Sequence, residues 1–321
     1  MQPRRFARVR RPISGRAATS IFKVLNRNVV WVVLLIVFLI FSSQMYFHSK
    51  MFVNQDRERD CKWLSNPPLV CAHGGDSSKA PPNTEASYRI ALDLQVDCIE
   101  IDASRTQDGV LVALHDRDLQ AISNNEYMHV GDLNFSQIKE LRPGARFSEN
   151  FHEQHIPTLE SALQYVMPHV NQVIIDAKEG PPKYDEGMAI DIFSVMKTVD
   201  CRNCVLWAKS DKIVEDFTHL SSNPESLGFI VMKDKVTGKV TSPLRMKGAG
   251  LIGAFHGIVT RKLVNTAHRA GKKLHAWTVD EESAMIHMLK TGVDGIVTSI
   301  PNLLQRVMGS ERQHCAQYGF S

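Results

Sequence analysis

Residues 69–116 have the sequence LVCAHGGDSSKAPPNTEASYRIALDLQVDCIEIDASRTQDGVLVALHD, and this stretch decides the fold. Its short apolar runs are Leu69–Ala72, Cys98–Ala103 and Val110–Leu114. Such runs predict strands, and the amphipathic segment Thr84–Leu94 between the first two predicts a helix. The pair Asp108-Gly109 ahead of the third run is a hairpin signal. The stretch therefore predicts a strand–helix–strand unit with a hairpin attached to its second strand.

The same alternation continues along the rest of the chain. Further strands are predicted at Gln172–Ala177, Cys204–Ala208, Ser226–Met232, Leu251–Ala254, Lys273–Val279 and Gly295–Thr298. Further helices are predicted at Phe135–Leu141, Thr158–Met167, Tyr184–Val199, Asp211–Ser221, Arg261–Ala270, Glu281–Thr291 and Asn302–Val307. Repeated strand–helix units over roughly 255 residues favour an α/β fold, a (β/α)₈ barrel with a hairpin excursion after strand 2. A doubly wound sheet is the alternative, but no glycine-rich phosphate loop follows any predicted strand.

The N-terminal region carries a membrane signal. Residues 1–50 contain nine Lys or Arg and no acid, and the uncharged span Val29–Phe47 is 19 residues long. A helix needs about 20 apolar residues to cross a bilayer, so we predict a type II signal anchor with the body in the lumen or outside the cell. A cleaved signal peptide and an organelle transit peptide are the alternatives. The predicted divisions are leader 1–28, transmembrane span 29–47, stalk 48–67, barrel 68–310 and tail 311–321.

The body has a mildly acidic balance, with 29 basic against 34 acidic residues in 51–321. This balance argues against a nucleic-acid partner. Among the six cysteines, Cys201 and Cys204 form a short-loop disulfide or half of a zinc site, and no second pair completes such a site. Cys71 and Cys98 lie in apolar runs and are predicted core residues. Asn134 begins a glycosylation sequon, which is usable only in a lumenal body.

Acidic residues end two of the predicted strands. Glu100 and Asp102 are two residues apart, so both carboxylates project from one face while Ile99 and Ile101 face the helices. Two acids at a barrel mouth need a cation, and oxygen ligands favour Mg²⁺ or Ca²⁺. Asp176 ends a later strand and is a candidate third ligand from across the mouth. The alternative for an isolated pair of this kind is two solvent-facing acids without a metal.

Histidines and a lysine occupy similar positions. His73 follows the first strand, and His115 follows the hairpin. Imidazoles can serve as acid and base near neutral pH, although a single histidine in such a position is often only structural. Lys178 lies on the same face as Asp176, where its ammonium could offset phosphate charge or simply extend to solvent.

The order and spacing of these residues resemble the signature of the glycerophosphodiester phosphodiesterase family. The matching motifs are His73-Gly-Gly75, Pro82-Asn-Thr84, Glu100-Ile-Asp102, Thr106-Gln-Asp-Gly109, His115-Asp116, Ile156–Leu163, Trp277-Thr-Val279 and Gly292–Thr298. The resemblance covers residues 69–307. It implies a barrel that hydrolyses glycerophosphodiesters to sn-glycerol 3-phosphate and an alcohol with one divalent cation.

The resemblance also implies roles for individual residues. By position, His73 and His115 would be the acid–base pair, and Glu100 and Asp102 would hold the metal. The remaining members of the implied site are Asp176 as third metal ligand and Lys178 and Trp277 as contacts to the substrate and its phosphate. The glycerol 2-hydroxyl would attack phosphorus first, and water would open the cyclic phosphate. No obligate protein partner is indicated.

Three positions depart from the family pattern. Gly74 stands where the family has an arginine that holds the phosphate, and Pro82 replaces a glutamate. Asp176 stands where the family has a glutamate, and the shorter side chain fits Ca²⁺ more easily than octahedral Mg²⁺. These changes predict weaker activity or an altered head-group preference. Three alternatives therefore stay open: a weakened or inactive barrel with a surface role, a lysophospholipid-cleaving barrel and, from the anchor and acidic motif, a lumenal glycosyltransferase.

Overall fold

Eight parallel strands and one antiparallel strand form the sheet in the computed structural model, which describes residues 27–181, 186–234 and 236–320. The strands are β1 (Leu69–His73), β2 (Cys98–Arg105), β3 (Leu111–Ala113), β4 (Gln172–Ala177), β5 (Cys204–Ala208), β6 (Leu227–Val231), β7 (Leu251–Phe255), β8 (Lys273–Trp277) and β9 (Gly295–Thr298). β1 pairs with both β9 and β2, which closes the barrel. β3 pairs antiparallel with β2 as the predicted hairpin. Closure confirms the (β/α)₈ barrel and rules out the doubly wound sheet.

Helices follow the barrel strands as the alternation predicted, except after β6, where the described residues before β7 form no helix. They are α1 (Arg27–Cys61), α2 (Glu85–Asp93), α3 (Asp116–Ser123), α4 (Phe135–Ile138), α5 (Leu159–Val166), α6 (Met188–Thr198), α7 (Asp211–Leu220), α8 (Arg261–Arg269), α9 (Glu282–Thr291) and α10 (Pro301–Ala316). The Thr84 side chain caps α2 by accepting a hydrogen bond from the Ser87 backbone N–H. Gly271 follows α8 with φ of +69°, a left-handed conformation that suits glycine and ends the helix.

Two predicted helices differ in length from the structure, and one observed helix, α3, has no predicted counterpart. No apolar periodicity marks α3, because Leu119 is the only buried residue of this eight-residue helix. The predicted helix at Phe135–Leu141 ends three residues early, at Ile138. α10 continues well beyond Val307, as far as Ala316, and so includes part of the predicted tail. The predicted start at Tyr184 lies outside the described residues, and α6 begins at Met188.

Two apolar layers stabilise the barrel. One lies between the sheet and the helices and contains Ile99 and Ile101. The other fills the barrel interior and contains Cys71 and Cys98, which are free, buried thiols as predicted. The alternation along β2 thus sends Ile99 and Ile101 outward to the helices and Glu100 and Asp102 towards the barrel axis. This geometry positions the candidate site.

The described part of the N-terminal unit, which ends at Asp56, is formed by the helix α1. The segment Val30–Ser65 is long and apolar enough to cross a membrane by length and composition, and its apolar window is exposed. The residues predicted as a stalk are helical as far as Cys61. The predicted leader, residues 1–28, lies almost entirely outside the described residues.

Two disulfides stabilise the unit that begins at Arg57. Cys201 and Cys204 are bonded to each other, which resolves the choice left by the sequence. Cys61 and Cys315 are bonded across a sequence separation of 254 residues. The long bond joins the segment just before the first barrel strand to the end of α10, and the guanidinium of Arg57 lies 4.0 Å from the ring centre of Tyr318 beside it.

The long disulfide is expected to stabilise the fold more than the short one. Loop-closure entropy predicts a loss of about 5–6 kcal/mol in the free energy of unfolding for the double variant Cys61→Ser/Cys315→Ser, against about 2 kcal/mol for Cys201→Ser/Cys204→Ser. Urea unfolding of the full chain in detergent, followed by fluorescence without reductant, measures both losses. Equal losses would contradict the expectation.

A buried histidine makes stability depend on pH. His275 on β8 faces the barrel interior against Gly295, where a Cβ would lie 2.7 Å from the ring. Burial lowers the pKa of His275 to about 4. Unfolding restores an ordinary value of about 6.5, so the unfolded chain binds more protons between these two pH values. Stability therefore falls as pH drops through this window.

The His275→Gln variant is expected to remove this contribution. Between pH 7.5 and pH 5, the wild-type chain should lose about 2 kcal/mol more stability than the variant. The free energy of unfolding in urea at the two pH values gives the comparison. His219→Gln on the exposed face of α7 is the matched control and should keep the wild-type pH dependence. An unchanged dependence in His275→Gln would refute the assignment.

Candidate active site

The candidate side chains meet at the carboxyl ends of the first three barrel strands. His73 ends β1 and is in register with Glu100 on β2. Asp102 on β2 is in register with Asp176 on β4. Lys178 follows β4, and its backbone N–H donates to the Ala103 carbonyl at 2.9 Å. In a (β/α)₈ barrel this end carries the chemistry.

Three buried carboxylates form one cluster. Ligand oxygens of Glu100, Asp102 and Asp176 all lie within 4.8 Å of one another. The expectation that Asp176 reaches in from across the mouth is wrong, because β4 is the direct neighbour of β2. The hairpin strand β3 lies outside the parallel barrel, so β4 is the barrel strand that follows β2 both in the chain and in space.

Lys178 lies within hydrogen-bonding range of two of these carboxylates. Its Nζ is 2.6 Å from Oδ1 of Asp102 and also contacts Oδ2 of Asp176. Burial acts to raise the pKa of Asp102, but the charge of Lys178 outweighs it and holds that pKa well below its usual range. Burial raises the pKa of Glu100 and of Asp176. One ammonium therefore leaves the ionised cluster short of positive charge.

The donor set fits a hard divalent cation. Glu100, Asp102 and Asp176 offer only oxygen atoms, which Mg²⁺ and Ca²⁺ prefer. Ionising all three in a buried site is costly without a cation. A divalent ion would supply the charge that the Lys178 ammonium alone does not.

Neighbouring polar groups fix two of the three carboxylates. The Asn83 side-chain amide donates to Oδ2 of Asp102 at 2.8 Å, and its Oδ1 accepts from the Asp102 backbone N–H at 3.1 Å. The Gly74 backbone N–H donates to Oε2 of Glu100 at 3.0 Å. Asn83 is buried with φ of +59°, which asparagine tolerates better than most residues. The sequence placed Asn83 in a motif but did not predict this contact.

Both histidines are kept neutral at pH 7. Burial lowers the pKa of His73 to about 4 and that of His115 to about 3. Nε2 of His73 lies 4.0 Å from Oε2 of Glu100. Nδ1 of His115 accepts a hydrogen bond from the Arg117 backbone N–H at 3.1 Å. The neutral His115 ring therefore carries its proton on Nε2 and can act as a donor.

The residues that follow His115 have different fates. Asp116 turns away from the mouth, where its Oδ1 accepts from the Val130 backbone N–H at 2.9 Å. Arg117 turns towards the mouth, and one of its terminal nitrogens lies 3.4 Å from Nε2 of His73. The sequence singled out Asp116 and gave no role to Arg117. Asp116 and Arg117 begin a polar helix without apolar periodicity, so the sequence does not indicate which of these two side chains points to the site.

A small cavity unites the candidate residues. Its lining includes His73, Glu100, His115, Arg117, Asp176, Lys178, Trp207, Lys209, Ile230, Trp277, Thr278 and Val297. Asp102 is not among the lining residues but contacts one of them, Lys178. All seven side chains singled out from the sequence thus gather at one place. Trp277 forms an edge-to-face contact with Phe255, with ring centres 5.8 Å apart, which gives the cavity an apolar wall.

Comparisons with known proteins agree with this geometry. The model of the glycerophosphoryl diester phosphodiesterase family matches residues 73–303. Glycerophosphodiester phosphodiesterase GDPD4 of Arabidopsis thaliana is 44% identical, and the alignment covers 97% of this chain and 96% of that protein. A glycerophosphodiester phosphodiesterase of Caldanaerobacter subterraneus is 32% identical over 74% of this chain and 96% of its own length.

Solved structures share the fold. A phosphodiesterase of Oleispira antarctica, in complex with the product sn-glycerol-3-phosphate, superposes with a TM-score of 0.66 at 20% identity. The match covers 77% of this chain and 98% of that one. A putative glycerophosphoryl diester phosphodiesterase of Silicibacter pomeroyi gives a TM-score of 0.67 at 21% identity, covering 77% of this chain and 94% of that one.

Proposed function

The chain belongs to the glycerophosphoryl diester phosphodiesterase family, and on that premise we propose that it hydrolyses glycerophosphodiesters to sn-glycerol 3-phosphate and an alcohol. One observation carries the proposal. Two neutral imidazoles, three carboxylates and an ammonium gather around one cavity at the carboxyl ends of the barrel strands. The relatives named for this activity and the product-bound Oleispira antarctica structure support the same reaction.

Glu100, Asp102 and Asp176 would hold one divalent cation, Mg²⁺ or Ca²⁺. Bound there, the ion would polarise a phosphoryl oxygen and offset developing negative charge. Asn83 and the Gly74 N–H orient two of the ligands, so their oxygens need not reorganise. The ammonium of Lys178 can turn from the carboxylates to the substrate phosphate. Trp277 is placed to contact the rest of the substrate.

His73 and His115 would form the acid–base pair. In the first step one imidazole takes the proton of the glycerol 2-hydroxyl as its oxygen bonds to phosphorus, and the other protonates the departing alcohol oxygen. In the second step the two exchange roles, and water opens the cyclic phosphate to give sn-glycerol 3-phosphate. Both rings are neutral at pH 7, so each can act as base or regain a proton for the opposite role.

We also propose that α1 is an uncleaved signal anchor that leaves the barrel in the lumen or outside the cell. The apolar segment of α1 has the length of a membrane span, and the residues before it are basic. Two disulfides in the barrel unit suit an oxidising compartment. Asn134 of the sequon is exposed, as a glycosylated residue in a lumenal protein must be.

Product analysis of the full chain in detergent tests the reaction. With sn-glycero-3-phosphocholine and Mg²⁺ or Ca²⁺, the proposal expects equal amounts of sn-glycerol 3-phosphate and choline. Release of phosphocholine would mean cleavage of the other ester bond. Absence of any product with either divalent ion would contradict the proposed reaction and favour the alternative of an inactive barrel. Parallel incubation with lysophosphatidylcholine separates a lysophospholipid substrate, which would yield lysophosphatidic acid.

A further inference from the structure

Arg117 brings a guanidinium into the cavity from the start of α3. One of its terminal nitrogens, Nη2, lies 3.4 Å from Nε2 of His73 and 3.9 Å from Oδ2 of Asp102. Its Nε lies 3.7 Å from Oδ1 of Asp118. The side chain remains 52% exposed. The guanidinium thus lies at the solvent side of the cavity, above the carboxylates that would hold the cation.

The contacts of Arg117 orient its guanidinium but leave N–H groups that can still donate to a ligand. The contact of Nη2 with Nε2 of His73 is a long hydrogen bond, and the distances to Asp102 and Asp118 exceed 3.2 Å, the usual upper length of a hydrogen bond from nitrogen to oxygen. Asp118 is not among the residues that line the cavity, and its carboxylate attracts Nε. One of the five N–H groups of the planar fork is thus directed at Nε2 of His73, and the others can still donate to a ligand.

Position 74 cannot easily supply such a group. Gly74 has φ of +61°, which side-chain-bearing residues rarely adopt. A Cβ added there would lie 3.1 Å from the Cβ of Pro82 and 3.3 Å from the Asn83 backbone nitrogen. Its N–H is also committed to Glu100. The backbone at 74 therefore suits the glycine that replaces the arginine of the family pattern.

We propose that Arg117 binds the phosphate of the substrate and so replaces the guanidinium that is missing at position 74. The proposal deepens the proposed function and rests on it. A phosphate in the cavity would meet the Arg117 fork on the solvent side and Lys178 on the carboxylate side. Planar bidentate contact with two phosphate oxygens is the geometry in which arginine exceeds lysine.

Kinetics and product binding of the full chain in detergent with Mg²⁺ test the assignment. For Arg117→Ala, we expect KM for sn-glycero-3-phosphocholine and the Kd of sn-glycerol 3-phosphate, the binding probe, to rise about 10- to 100-fold. kcat should change much less, because the phosphate is charged throughout the reaction. Arg117→Lys should recover part of the affinity, and guanidinium ion added to Arg117→Ala should recover some as well.

Arg202→Ala is the matched control. Arg202 is exposed and pairs with Asp200 before β5, at the opposite end of the barrel. Its loss should leave KM, kcat and probe affinity unchanged. A merely structural Arg117 would instead lower kcat and the unfolding temperature, and guanidinium ion would not restore either.

The possible outcomes separate failure of the phosphate role of Arg117 from failure of the proposed hydrolysis. Hydrolysis by the wild-type chain with KM and probe affinity of Arg117→Ala within about threefold of wild type would overturn the phosphate role alone. Probe binding that depends on Arg117 in a chain without hydrolysis would overturn the proposed function and keep the phosphate role. A wild-type chain that neither hydrolyses the substrate nor binds the probe would overturn both.

Discussion

Replacing His73 or His115 with alanine is expected to lower kcat for glycerophosphodiester hydrolysis by about 100- to 10,000-fold. In each of the two proposed steps, one imidazole accepts a proton and the other donates one, so every step needs both histidines. Burial keeps both rings neutral, with pKa values of about 4 and about 3. Water would have to replace the missing imidazole, and no fixed side chain would hold that water at the position of the lost nitrogen.

The double variant His73→Ala/His115→Ala gives a sharper test. Residues that act as a unit show strongly non-additive losses, so the double variant should be little worse than the worse single variant. Release of sn-glycerol 3-phosphate by the full chain provides the measurement. His287→Ala, on the exposed face of α9, is the control and should retain wild-type activity. Full activity in either single variant would exclude the acid–base pair.

Removing divalent metal is expected to abolish turnover. Chelation followed by dialysis should lower activity by about 1,000-fold or more, which corresponds to about 4 kcal/mol of transition-state stabilisation. Restoring Mg²⁺ or Ca²⁺ should recover it. Asp102→Asn should show a similar loss even at high metal concentration, because Asp102 belongs to the proposed ligand set and also contacts Lys178.

The controls for metal removal separate catalysis from folding. Lys178 already neutralises part of the carboxylate cluster, so the chelated chain should remain folded with a small change in unfolding temperature. Asp200→Asn removes an exposed acid that pairs with Arg202 and should leave the metal response unchanged. Asp176→Glu lengthens the third ligand to the residue of the family pattern and should favour Mg²⁺ over Ca²⁺. Undiminished turnover in the metal-free chain would contradict the cation role.

The barrel and most of the site could be predicted from local sequence patterns. Buried strands leave apolar runs that are visible without an alignment, and all nine predicted strands are present. The two-residue spacing of Glu100 and Asp102 fixed their common face, and the structure has both acids at the mouth. His73 and His115 could be placed because strand ends are recognisable in the sequence.

The rest depends on contacts between distant segments. α3 has a single buried residue, Leu119, so no apolar period marks it, and the direction of Arg117 depends on that helix. Asp176 lies beside Asp102 because β4 pairs with β2 in this register, and the register is a contact between segments about 70 residues apart. Cys61 and Cys315 are 254 residues apart, and no local pattern pairs them.

The glycine at position 74 also bears on the history of this active site. Reintroducing arginine there would place a side chain in a left-handed backbone, at a cost of about 1–2 kcal/mol, and against Pro82. With Arg117 in place, a second guanidinium would add repulsion beside the same phosphate. The reverse mutation alone would therefore be disfavoured until Arg117 is lost, and losing Arg117 first would weaken substrate binding. Because each of these residues is favoured only while the other is present, descendants of this chain should retain Gly74 and Arg117 together or change both.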